Sequence, residues 1–485
     1  MSASKPKYIH LLIGVIIFFA LKFGLSSAPC LAMGITTIGA STLALFVATI
    51  YLWITFGTGW ISLLSIGLLG FTGIAPAATI LANSFGNTTT VVIIGTLILS
   101  IGLNETGVTS LIANWFITRK FVNNRPYAFF AMFLLAALIV AWFVTGTATC
   151  VIFVTLAYGI IDSLGYQKGD KFSMALIMTT VWVVVIGMAA TPIGHPIVLT
   201  VLGALKNITG TDVSWVSYMI IGIPFSVVAY LATLLIIRFV LRPDCSKFTA
   251  YDAIERRKEM KPLDAKGKTT SIIYVVLIIV WLFPDIFGGV FPGAAAFLKA
   301  GGTALPCIIA AAILFAIPIG GKPVMEYRET LSKVAWPLVY FIACIFVYAS
   351  VLRLPSGGIS TFLTTLVSPI SEVLSPFAMV AVFLMLVALL TNFISNAVTG
   401  AIGVTVCVPI LSANPVTAPW AIGFSVLVAI LCNYGLMTPG GSGNVAIAEE
   451  GGFVTASDMF KYSLVLVILV WLISLLFWPL TLAIF

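Results

Sequence analysis

Long apolar runs separated by short polar stretches divide this chain. The runs 8–25, 34–57 and 60–82 each predict a membrane-spanning helix, because a bilayer core of about 30 Å takes about 20 apolar residues. A fourth run, 88–104, continues through Glu105-Thr106-Gly107 into an amphipathic stretch that ends at Arg119-Lys120 and Arg125. Two apolar arms, 127–144 and 150–164, then flank Thr145-Gly146-Thr147-Ala148-Thr149, and Lys168 and Lys171 follow. Basic residues on both sides put both ends of this pair on one face, which suits two ordinary spans or one re-entrant hairpin. The hydroxyl-rich, glycine-containing tip makes a poor polar loop and a good ligand-facing break, and favours the hairpin.

The run 172–205 would be one span but for Ala189-Ala190-Thr191-Pro192-Ile193-Gly194-His195-Pro196. Proline lacks the donor N–H and clashes with the preceding turn, so two prolines and a glycine break the helix. In hydrocarbon such a break survives only where protein or a water-filled cavity satisfies the freed backbone groups. A second break, Thr438-Pro439-Gly440-Gly441-Ser442-Gly443-Asn444, lies 247 residues later. Paired broken helices at corresponding places in two halves point to a transporter's midplane site.

Between and after the breaks come 214–241, a basic loop, 271–287, 303–319, a stretch with Lys322, Arg328 and Lys333, then 336–352 and 459–485. A second hairpin has arms at 377–394 and 400–411 and the tip Ser395-Asn396-Ala397-Val398-Thr399, offset by 250 from the first tip. Leu103–Thr109 is echoed by Leu354–Ser360 in the same order. A common offset and order indicate an internal duplication.

The expected fold is all-α and polytopic, with about eleven transmembrane helices plus two re-entrant hairpins in two inverted repeats. An N-terminal helix occupies 1–33. The first repeat, 34–241, holds the hairpin 127–164 and the broken helix 172–205; a cytoplasmic loop covers 242–270; the second repeat, 271–485, holds the hairpin 377–411 and the broken helix 417–450. This count puts the N-terminus in the cytoplasm, the C-terminus outside, and every strongly basic loop on one face.

Composition agrees: 61% of the 485 residues are hydrophobic and 8% charged, where soluble domains carry about 25% charged residues. The formal charge of +8 does not indicate nucleic acid, since Arg242 to Lys268 holds eight Lys/Arg but also five Asp/Glu, between apolar runs. The seven cysteines are scattered without C-x-x-C spacing, which indicates neither a disulfide framework nor a zinc site. Lys5 and Lys7 ahead of an apolar run resemble a signal peptide, but no clean cleavage site follows and a retained first helix is expected. The chain is thus expected to be an integral protein of the plasma (inner) membrane, with the lipid bilayer and a small anionic substrate as partners.

Helix ends presented at tips and breaks can bind ions without charged side chains. A helix N-terminus carries unpaired N–H groups and about half a positive charge, which suits a carboxylate. Unwound carbonyls and C-terminal ends suit sodium. Thr145, Thr147, Thr149, Ser395, Asn396, Ser442 and Asn444 add neutral donors and acceptors, although single hydroxyls in membranes also serve to join helices.

At these tips and breaks the chain resembles the divalent-anion/sodium symporter (DASS) family, which includes citrate and dicarboxylate carriers. That family has a Ser-Asn-Thr signature at each hairpin tip and a Thr-Pro-x-Gly-Thr-Pro-type break in each half. Here the first tip reads Thr145-Gly146-Thr147 and the second Ser395-Asn396-Ala397. The first break keeps Thr191-Pro192-Ile193-Gly194 and has His195 at the family's substrate-facing threonine. The second is one residue short, with Gly441-Ser442-Gly443-Asn444 for Gly-Thr-Pro-Pro-Asn. The resemblance implies a homodimer, elevator-type alternation, and sodium as coupling ion with no other cofactor. It implies cation ligands at Thr145, Gly146, Gly194, Ser395, Asn396 and Gly441, and substrate contacts at Thr147, His195, Asn396 and Ser442. Gly146 removes one side-chain oxygen from the first cation site.

The expected function is secondary transport of a small di- or tricarboxylate, by sodium-coupled symport or by anion exchange. An inorganic oxyanion such as sulfate is the alternative substrate, and an anion channel a more distant reading. An intramembrane enzyme is not expected: there is no H-E-x-x-H, no G-x-S-x-G and no acidic pair in mid-membrane. His195 titrates near neutrality when unperturbed, so it serves as a packed core residue or as a substrate ligand. Glu105, Glu449 and Glu450 lie toward span ends, where interfacial water solvates them.

Overall fold

A computed structural model describes residues 5–250, 252–258, 262–363, 365–366, 374–413 and 416–485. Glu259, Met260 and Lys261 of the expected cytoplasmic loop lie outside the described residues. Among the described residues the only strands are Pro318–Ile319 and Lys322–Pro323, joined by Gly320 and Gly321 at φ 64° and 79°. That is the backbone a two-residue hairpin turn requires. Everything else regular is helix. Eight helices among the described residues are long and apolar enough to cross a bilayer, or ten when two bent pairs are counted as one span each.

Expected spans and observed helices coincide for Lys5–Leu25, Thr37–Phe56, Thr88–Glu105, Trp215–Ile236, Ala265–Phe287 and Ala456–Ile484. Two expected spans are interrupted. The run 60–82 divides into Gly59–Leu69 and Ala77–Asn83, because Gly70, Gly73 (φ 81°) and Pro76 fall between them. The run 303–319 begins as Ala304–Ala316, bent by 75° from Pro292–Gly301, and ends in the small strand hairpin. The duplicated Leu103–Thr109 and Leu354–Ser360 stretches share a backbone feature: Gly107 (φ 74°) and Gly358 (φ 62°) both turn left-handed and are followed by a new helical segment.

Burial sorts the helices. In Lys171–Met188, 94% of residues are buried, against 6% of the Tyr8–Leu25 stretch. A helix apolar on every side must be covered on every side by protein or by lipid, so the first is the hub of the protein and the second faces lipid. Around the hub stand the first hairpin, Pro126–Ala141 and Gly146–Ser163, and the long helix Trp215–Ile236. The second hairpin runs Pro376–Leu390, then Asn396–Ile402, a wide turn Gly403–Cys407, and Val408–Ala413.

The second segment of each broken helix packs against the opposite half. Pro196–Thr209 lies on Asn396–Ile402 and on Ala421–Leu431; Gly443–Glu450 lies on Gly146–Ser163 and on Lys171–Met188. Charged pairs sit at the periphery: Lys247 with Asp170 at 3.4 Å, Lys206 with Asp212 at 2.5 Å, and Lys333 with both Glu105 and Glu329. Glu105 is therefore an ion-pair member at a helix end.

Candidate functional site at the paired apexes

Each hairpin tip is clasped to the break of its own half by the same three devices. First, the break threonine donates to a tip carbonyl: Thr191 Oγ1 to Trp142 O, and Thr438 Oγ1 to Asn392 O. Second, the break glycine lies flat on the tip backbone: a Cβ on Gly194 would collide with Ala141 O, and one on Gly441 with Thr391 O. Third, matching positions meet the hairpin's outgoing helix: Met188, the last residue of Lys171–Met188, over Gly146, and Gly435, four residues past Ala421–Leu431, under Asn396. Each pair is offset by 247 residues on the break side and 250 on the hairpin side. A backbone that close leaves no room for a side chain, which is why glycine occupies both positions.

The breaks are locally satisfied. Thr191 Oγ1 also accepts from Ile193 N at 3.2 Å and Gly194 N at 3.1 Å. In the second half Asn392 Oδ1 takes the N–H groups of Leu436 (2.8 Å) and Met437 (2.9 Å). Asn396 ties tip to break twice, its N donating to Gly441 O at 3.3 Å and its Nδ2 to Asn433 O at 3.2 Å, while its Oδ1 accepts from Thr391 Oγ1 of the same hairpin at 2.8 Å. Tyr218 OH reaches Ala189 O at 2.7 Å from the neighbouring long helix. These bonds hold unwound backbone in an apolar interior, where each unsatisfied group costs several kcal/mol, roughly, in hydrocarbon.

The structure joins most of the residues expected at the site. Gly146 touches Met188, whose Sδ is 4.0 Å from Asn444 Nδ2 in the first turn after the second break. Ser442 opens that turn, accepting from Asn444 N at 3.3 Å, and neighbouring Gly441 holds Asn396. A continuous path of contacts therefore runs from one tip to the other. His195 precedes Pro196–Thr209, its carbonyl accepting from Val198 N at 3.1 Å, and its ring lies within interaction range of the Asn433 side chain. Ser395 caps the second outgoing arm through Val398 N at 3.3 Å; Thr145 holds the matching position with its carbonyl alone, accepting from Thr149 N at 3.1 Å. Thr147 is exposed in the first turn of its arm and is not drawn into this network.

Eight helix ends meet here. Pro126–Ala141, Lys171–Met188, Pro376–Leu390 and Ala421–Leu431 end at the apexes, and helices begin at Gly146, Pro196, Asn396 and Gly443. Buried side-chain polar atoms without a partner concentrate in the same place: Thr149 Oγ1, His195 Nδ1, Thr399 Oγ1, Asn433 Oδ1, Tyr434 OH and Asn444 Oδ1. Buried polar groups are otherwise nearly always paired, so such a concentration marks a place built for a polar ligand. Among the described residues no three His, Cys, Asp or Glu side chains come together; the site offers neutral oxygens, amides and one imidazole. The other histidine, His10, bonds Tyr51 OH at 2.7 Å far along the chain.

The sequence reading missed Ala141, Trp142, Thr391, Asn392, Asn433 and Met188. Thr391 and Asn392 stand just ahead of the Ser-Asn tip, and the only signal for them was two polar residues ending an otherwise apolar arm.

The profile of the CitMHS citrate transporter family matches residues 43–429. The chain belongs to this family. It is a polytopic membrane transporter, not an enzyme, and the match bears out the DASS resemblance carried by the tips and breaks. Among its relatives, a sodium-dependent high-affinity dicarboxylate transporter 3 of Caenorhabditis elegans is 22% identical over 435 residues, covering 82% of this chain and 75% of the relative. The sodium-dependent dicarboxylate transporter SdcS of Staphylococcus saprophyticus is 24% identical over 440 residues, covering 85% and 81%. The crystal structure of the Alcanivorax borkumensis YdaH transporter shares the fold, with a TM-score of 0.55 at 15% identity, covering 82% of this chain and 86% of that one.

Proposed function

We propose that this protein is a secondary transporter of small di- or tricarboxylates, with the substrate held between the two apexes. The observation that carries the reading is the duplicated clasp, around which unpartnered buried polar atoms and four helix N-termini converge. Helix N-termini supply positive potential for carboxylates without a buried cationic side chain. The sodium-dependent dicarboxylate transporters among its relatives support the substrate class and sodium as the coupling ion. His195, Ser442 and Asn396 are the substrate ligands in this reading, with Thr147 joining them on closure. Gly441, Ser395 and Asn396 in one half, and Thr145, Gly146 and Gly194 in the other, border the cation positions. The hairpins are re-entrant, the halves are inverted in the membrane, and the assembly is an elevator-type homodimer, as the family resemblance implies.

Moving a dianion inward against an inside-negative potential costs about 4.6 kcal/mol per 100 mV, twice the single-charge value. Co-transported cations, or exchange for a second dianion, supply it. Counterflow in proteoliposomes tests the proposal: labelled succinate, malate, tartrate or citrate exchanges against the same unlabelled acid. Sulfate counterflow with all four acids inert would replace carboxylate by an inorganic oxyanion, and no counterflow of any kind would remove the carrier reading.

A further inference from the structure

The two apexes share their backbone contacts and exchange their side chains. Ala141 stands where the second apex has Thr391, Trp142 where it has Asn392, Gly146 where it has Asn396, and Met188 where it has Gly435. In the second apex the Asn396 amide fills the space over Gly435; in the first the Met188 thioether fills the space over Gly146. Large and small residues have traded sides of one contact, which keeps a close-packed interior filled. The chemistry is not kept. Every side-chain oxygen that Thr391, Asn392 and Asn396 bring to the second apex is missing from the first.

We propose that this exchange makes the apexes unequal: the second accepts a hard monovalent cation such as sodium, and Met188 closes the first, so that one cation accompanies each substrate. The inference rests on the carboxylate-carrier reading and deepens it. Hard cations take oxygen ligands, whereas a thioether suits soft metals. The second apex gathers Asn396 Oδ1, the Thr391 hydroxyl and the carbonyls of Asn433 and Gly441 around one side chain. At the first apex, Met188 Sδ lies between Gly146 and Asn444 Nδ2. A second consequence is electrical. A dianion with one sodium ion still carries net negative charge, so uptake works against an inside-negative potential unless a second anion leaves.

The test is sodium linkage, read from thermal stabilisation of the full-length protein by succinate or citrate at constant ionic strength. Ligand binding raises apparent stability by mass action, and each linked cation makes the apparent Kd fall about tenfold per tenfold rise in sodium below saturation. The expected wild-type slope is about tenfold. Met188→Leu keeps it, and Thr391→Val, which removes a second-apex oxygen not assigned to the substrate, abolishes it. The double variant Gly146→Asn, Met188→Gly, which transplants the second apex's contact, steepens the slope. A wild-type slope of about a hundredfold, a flat one, or loss of the slope in Met188→Leu overturns the inference while leaving carboxylate binding standing. Absence of stabilisation by any carboxylate overturns the carrier reading and this inference together.

Discussion

Thr191 and Thr438 carry more of the site than their size suggests, because each hydroxyl closes a loop between a break and a tip. Removing one leaves a buried carbonyl unpaired and, at Thr191, two backbone N–H groups as well. Such a loss costs about 1–3 kcal/mol for each orphaned group. Thr191→Val and Thr438→Val are therefore expected to lower the thermal midpoint and to weaken transport together; full transport with a lowered midpoint would show that the clasp only stabilises. His195 poses a different question, since its Nδ1 is buried without a partner beside Asn433. His195→Thr is expected to alter substrate selectivity or the pH dependence of uptake more than expression. Identical selectivity and pH profile would make the imidazole a packing residue.

At the scale of elements, the hairpin and the broken helix of each half act as one unit because backbone lies directly on backbone. Gly194→Ala and Gly441→Ala each add a Cβ against a carbonyl oxygen, Ala141 O and Thr391 O respectively. Neither carbonyl can retreat as a flexible side chain would, so the tip must lift from the break. Both variants are expected to insert in the membrane and to lose more than tenfold in transport, about 1.4 kcal/mol or more of binding or transition-state free energy. Asn392→Leu attacks the same unit from the hairpin side, stranding the Leu436 and Met437 N–H groups. Its thermal midpoint is expected to fall at least as far as that of Thr438→Val; a neutral result would mean that the break refolds to satisfy itself.

Across the whole molecule the exchange of partners matters most. Each half's hairpin is clasped to its own break but covered by the helix that follows the other half's break. A movement that carries one apex must therefore carry the other, as the proposed elevator-type alternation requires. Orientation is testable on the same scale. Gln167→Cys, near the basic end of the first hairpin, and Thr211→Cys, after Pro196–Thr209, lie at opposite ends of the broken helix and its neighbours. In a background with Cys30, Cys245 and Cys407 replaced, an impermeant maleimide is expected to label Thr211→Cys from outside and Gln167→Cys only in inverted vesicles. Labelling of both from one side would refute the expected topology.

Hydropathy and the backbone chemistry of proline and glycine are local properties, and they place most of the spans, both breaks and both tips. They overestimate continuity at 60–82, where Gly73 and Pro76 interrupt the apolar run and divide the helix. The residues expected to border ligand and cation follow from family resemblance. What local signals do not contain is which groups meet across some tens of residues. That Thr191 reaches Trp142, that Asn392 serves Leu436 and Met437, and that Met188 occupies over Gly146 the space Asn396 occupies over Gly435 were all decided by tertiary packing. A glycine's lack of a side chain is written in the chain; the group that fills the space it leaves depends on how two distant helices come together.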